Sequence, residues 1–167
     1  IGCTGTFKGC EVVADKKRFF TGSDGKFISE NYASKASNIV VDSIYVNVFT
    51  IQGNSYVETK NEFLYRGWWS SAVSDNASLV VGGNLTSYNT RLEVTLEINT
   101  TGSVVVKGNH LCGFNLKLKS GTVVANAVYL SAFEITDGVL ITNILLNSTH
   151  SVGLNSSDGH WNQYKAI

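Results

Sequence analysis

Hydrophobic and polar positions alternate along much of the chain. From Arg91 to Asn99, Leu92, Val94, Leu96 and Ile98 fall on one side and Arg91, Glu93, Thr95, Glu97 and Asn99 on the other. A period of two is that of a β-strand with one face in a core and one in water. Phe114 to Lys119 repeats it. Residues 38–51 are β-branched and aromatic, with Ile44, Val46 and Val48 opposite Tyr45, Asn47 and Phe49. Turn chemistry punctuates these runs. Asp137-Gly138 separates 129–136 from 139–147, which suits a type I′ hairpin because both central residues tolerate positive φ. Asn99-Thr100-Thr101-Gly102, Lys107-Gly108-Asn109-His110, Ser120-Gly121 and Val81-Gly82-Gly83-Asn84 read as further turns.

Strands recurring about every ten residues with turns between them predict an all-β fold, an antiparallel β-sandwich or jelly-roll-like domain with little helix. Residues 1–37 are less regular and are expected to form an irregular N-terminal segment packed on a β-sandwich domain of residues 38–167. Glu30 to Lys35 has room for one helical turn. No repeat of 20–50 residues stands out, which weighs against a solenoid while leaving room for a short β-helical entry.

Composition narrows the function classes. Thirteen Lys and Arg balance thirteen Asp and Glu in 167 residues. A neutral chain lacks the concentrated positive field on which nucleic-acid affinity rests. Charged residues make up only 16%, and polarity comes from Asn, Ser, Thr and Gly. No apolar run approaches the roughly 20 residues of a spanning helix, so no membrane insertion is expected. The chain starts on Ile1, as a fragment or a processed product would. Proline is absent, so strand edges need bulges, charges, closure or partners for protection, and homo-oligomeric association is expected on that ground.

Three cysteines leave at least one unpaired. Cys3 and Cys10 bracket a short Gly-containing loop that a disulfide could close. Cys112 lies in phase with Phe114, Leu116 and Leu118, which places its thiol on a buried strand face. No CxxC occurs and the three histidines are scattered, so no metal is expected. Phosphate-cradling glycine loops are missing as well, and no cofactor is expected.

Five Asn-x-Ser/Thr sequons, at Asn76, Asn84, Asn99, Asn147 and Asn155, are candidate glycosylation sites. Sixteen Asn with a 32 in 167 chance of Ser or Thr two places on give about three by composition alone, and turns favour the same residues. The most distinctive stretch is Tyr65-Arg66-Gly67-Trp68-Trp69-Ser70-Ser71. Adjacent tryptophans on a strand point to opposite faces, so one can be buried while the other stacks on the apolar face of a sugar. The alternative is that both pack, one of them at a subunit contact. Trp161, in a polar aromatic tail, is similar. Tyr65, Arg66, Trp68, Trp69 and Trp161 form the candidate ligand-binding set. No catalytic residues are assigned: Glu93 and Glu97 are about 13 Å apart along a strand, too far for a glycosidase pair; Glu58 and Glu62 face a loop-like region; and no Gly-x-Ser-x-Gly elbow occurs.

The Asn/Ser/Thr-rich alternating strands at 91–99 and 114–119, the tight glycine turns, the missing proline and the low charge together resemble the C-terminal region of a bacteriophage tailspike or tail fibre. The resemblance is compositional and carries over no catalytic residue. It implies a trimerising, polysaccharide- or receptor-binding β-domain, located extracellularly or on a virion surface. Two other readings stand beside it: an N-glycosylated eukaryotic or animal-virus surface glycoprotein domain, favoured by the sequons, and a fragment of a polysaccharide hydrolase or lyase.

Overall fold

A computed structural model describes residues 5–20, 26–65, 69–88, 93–147 and 164–166. Among these residues thirteen strands are joined in one sheet. They are β1 (Gly5–Lys8), β2 (Glu11–Phe20), β3 (Lys26–Glu30), β4 (Asn38–Val46), β5 (Val48–Ile51), β6 (Tyr56–Thr59), β7 (Phe63–Tyr65), β8 (Ser71–Asp75), β9 (Ser78–Val81), β10 (Leu85–Ser87), β11 (Leu96–Ile135), β12 (Val139–Asn147) and β13 (Tyr164–Ala166). Among the described residues no helix is formed, and Tyr32–Lys35 is a turn with Ala33 at φ 51°. Residues 5–30, expected to be irregular, hold three strands of this same sheet.

The expected antiparallel sandwich is corrected by the pairing. Every ladder is parallel except β12 with β13. The chain winds as a β-solenoid with three faces. On the first face β1, β3, β5, β8 and the start of β11 stack in order. On the second, the start of β2, the start of β4, β6, β9 and residues 104–106 stack. The ends of β2 and β4, then β7, β10 and residues 111–112, form the third. Alternation records which side chain points inward, and it is the same whether the neighbouring strand runs parallel or antiparallel.

Parallel register brings the inward residues of successive turns into columns. One column is Val12, Ile39, Val57, Leu79 and Val104. A second is Phe19, Ile44, Phe63, Leu85 and Leu111, and a third is Phe7, Ser29, Ile51, Val73 and Ile98. Away from the first turn these aliphatic and aromatic members are almost wholly buried. Rings from different faces also meet in the interior: Phe19 and Phe27 at 5.1 Å, Phe49 and Phe63 at 4.8 Å, and Tyr65 stacked on Phe114 at 5.5 Å between centroids. Such pairs add about 0.5–1.5 kcal/mol each beyond the burial of their area.

The repeat escapes a fixed-period search because its length varies. Lys26 pairs with Val48, 22 positions on; Asn38 pairs with Tyr56, 18 on; Leu85 pairs with Leu111, 26 on. Corners absorb the difference. Two glycines show what the corners require. Asp137-Gly138 is no hairpin: it turns the last coil from one face to the next, and Val139 pairs in parallel with Thr122. A Cβ on Gly138 would collide with the Leu118 side chain. Gly113 takes φ 88°, and a Cβ there would collide with the carbonyl oxygen of Ser87. This corner resets the strand phase. Leu111 points inward, and Cys112, expected in the core with Phe114, lies half-buried in register with Thr86 of β10. Burial pushes its thiol pKa up.

Two substitutions test this architecture. Leu79→Ala removes the middle of a column at 0% exposure, and is expected to cost about 2–5 kcal/mol. Gly113→Ala is expected to cost more than about 1 kcal/mol through its φ alone. Urea denaturation midpoints measure both, and a neutral Gly113→Ala would rule out the corner as described.

Candidate functional site

The sequence-predicted ligand set divides. Arg66, Trp68 and Trp161 lie outside the described residues. Tyr65 and Trp69 are described, and they sit in opposite environments. Tyr65 ends β7 and points inward at 0% exposure, between Phe49 and Phe114. Its ring offers no surface to a ligand, which corrects its place in the set: the inward phase of Phe63 carries on to residue 65. Its hydroxyl donates to the carbonyl of Trp69, so the buried phenol anchors the backbone from which Trp69 projects. Burial pushes the phenol up to about 12, against a weaker lowering by the Ser71 hydroxyl.

Trp69 is 51% exposed. Together with Ser70 it borders a shallow cleft of about 290 Å³ on the first face, which is also lined by Lys26, Ile28, Val48 and Thr50. The Ser70 hydroxyl oxygen accepts the Thr95 N–H at 3.1 Å, which ties this corner to the start of β11. Thr50 and Ile28 are register partners on adjacent strands, so the cleft floor is sheet. An indole over a sheet floor, with hydroxyls and one ammonium around it, suits a ligand that is part apolar ring and part polar.

Other polar side chains among the described residues form ladders from turn to turn. At one corner Asn54 Oδ1 accepts from Asn76 Nδ2 at 2.8 Å, and Asn76 Oδ1 accepts from Thr101 at 2.6 Å. Asn31 Oδ1 accepts the Asn54 N–H at 2.9 Å. At the next corner Asn61 donates to Asp42 at 2.6 Å, and Asn84 Oδ1 accepts the His110 N–H at 3.0 Å. Asn99 Oδ1 accepts from Ser120 at 2.9 Å. Three sequon asparagines, Asn76, Asn84 and Asn99, are thus partners in turn-to-turn hydrogen bonds. Asn155 lies outside the described residues, and Asn147 closes β12. Cys10 is a free thiol whose sulfur donates to the Lys8 carbonyl at 3.3 Å, and Cys3 lies outside the described residues.

Several carboxylates are similarly engaged. Glu30 pairs with Lys8 at 3.2 Å and accepts from Gln52 at 2.7 Å, which lowers its pKa through those hydrogen bonds. Glu58 pairs with Lys60 at 3.3 Å and Glu97 with Lys119 at 3.2 Å. Asp75 accepts the Gly53 N–H at 2.8 Å. His110 reaches Thr86 at 3.5 Å and the Tyr129 ring at 6.0 Å. No group of three metal-ligating side chains occurs among the described residues, and no helix among them is long and apolar enough to cross a membrane.

The Tyr65 anchor has a pH signature. Its folded-state pKa is about 12 against an ordinary 10.0. The raised value means that stability is complete below pH 10 and falls as the pH climbs from there towards 12. Tyr65→Phe is expected to cost about 1 kcal/mol at neutral pH through the lost hydrogen bond and to flatten this alkaline decline. Denaturation midpoints at neutral and alkaline pH, compared with the parent, decide it.

Comparison of the chain with protein-family models, with curated proteins and with solved structures finds no significant match.

Proposed function

We propose that this chain is a glycan-binding module of an extracellular or virion-surface protein, with Trp69 as its stacking platform. The observation that carries the reading is the exposed indole at the edge of the sheet-floored cleft, with Lys26, Thr50 and Ser70 around it. A sugar ring presents an apolar face to stack and hydroxyls to bond, and the cleft offers partners for both. The anchoring of the Trp69 carbonyl by a buried phenol supports the same reading, because a platform held in place loses less entropy on binding. The compositional resemblance to tailspike and tail-fibre C-terminal regions supports a cell-surface polysaccharide as the ligand class.

The test is a glycan array followed by titration of the best ligand. Trp69→Ala is expected to weaken binding at least about tenfold, or 1.4 kcal/mol, with the urea midpoint unchanged because the indole is half exposed. Undiminished binding by Trp69→Ala would remove the site.

A further inference from the structure

Among the described residues nine large hydrophobic side chains are exposed, and five of them, Phe133, Ile135, Val139, Ile141 and Ile144, fall between positions 133 and 144. They belong to the last coil. The Thr136 N–H donates to the Leu118 carbonyl at 3.0 Å, a parallel register of 17 positions that β12 continues from Val139 on Thr122. Phe133 and Ile135 therefore stand over the buried Leu116 and Leu118. Their register gives them the inward phase, yet they remain 41% and 39% exposed, with no further coil over them among the described residues. Leu140 stands likewise above Val123.

The opposite end is open in a complementary way. The outer edges of β1 and β2 have no partner strand among the described residues. Phe7, Val12 and Ala14 head their columns and are only partly buried. The first coil encloses an almost wholly apolar cavity of about 300 Å³ between Phe7, Val12, Phe19, Phe27 and Ile39, with Lys17 and Arg18 at its border. The residue in register with Phe27 on β1 is Gly5, which has no side chain to fill it. At the other end the edge of 139–143 has no partner strand among the described residues, where β13 covers only 144–146.

We infer that these two ends mate: the last coil of one copy docks on the first coil of a second copy, head to tail. Translation along the axis keeps all strands parallel, so the free edge of 139–143 meets that of β2 with the hydrogen-bonding polarity used inside the molecule. The columns then run on from copy to copy, with Ile135 over Phe7, Leu140 over Val12 and Phe133 over Gly5 and the cavity. Glu134 and Asp137 are exposed in the last coil, opposite in charge to Lys17 and Arg18 at the cavity border. Such a contact is heterologous and does not close, so it builds a fibre. It caps both apolar ends, which a solenoid requires in order to remain in solution.

Sedimentation velocity of the 167-residue chain across the micromolar range tests this. The expected result is a series of species that lengthens with concentration. Ile135→Glu blocks one end and Val12→Glu the other. Each variant alone is expected to lose every species above the monomer, and an equimolar mixture to recover a dimer and nothing larger, since one intact end of each kind remains. A parent chain that stays monomeric overturns the inference. So does a Val12→Glu variant that still associates by itself, because the last coil would then pair with its own kind or with a different partner. Should Val12→Glu fail to fold, amide exchange of the parent decides: protection rising with concentration in β1, β2 and 139–143 supports the contact, and concentration-independent exchange there refutes it.

Discussion

The parallel backbone ladder between successive turns is the constraint from which the rest of the structure follows. Each strand must satisfy its N–H and C=O groups on the coils before and after it. Once it does so in parallel, residues of like phase lie over one another about 4.8 Å apart. An inward position then becomes a column, and a column is stable only if nearly every member is apolar. Val12, Ile39, Val57, Leu79 and Val104 meet that condition, with Val12 partly open because no coil precedes it among the described residues.

The same stacking explains the polar composition. A side chain at a corner meets its counterpart one turn away, so asparagine, which both donates and accepts, propagates a hydrogen bond from turn to turn. Asn54, Asn76 and Thr101 form such a series. Sequon frequency, which in a sequence suggests glycans, coincides here with corner chemistry. Away from the cavity of the first coil these columns fill the interior, and the surface is what the fold presents. Trp69 on the first face and the apolar coils at the two ends are where that surface departs from routine ladder pairing.

For the candidate site the sequence marked a stretch and not the side chains that it exposes. Two adjacent tryptophans single out residues 65–71, of which Trp69 is half exposed and Trp68 lies outside the described residues. Tyr65 was misplaced because a three-residue strand carries too little alternation to fix its phase; the neighbours Phe49 and Phe114, distant in sequence, decide that it points inward. Cys112 failed for a related reason. The parity of 112, 114, 116 and 118 is unbroken in the sequence, and only the positive φ of Gly113, adopted where the backbone passes close to Ser87, shows that the phase restarts. The open ends were invisible from sequence, since Phe133 and Ile135 alternate like any core residues, and their exposure shows only in the fold, where no further coil covers them among the described residues.

By itself the sequence determined an all-β body with little helix, the inward or outward sense of the long runs such as Leu96 and Ile98, and the positions of most bends, since these depend on local side-chain chemistry. Tertiary structure alone decided strand direction, and with it the choice between sandwich and solenoid. Direction is a relation between segments 17 to 27 residues apart, set by which backbone edges meet, and a pattern of alternating side chains holds no record of it.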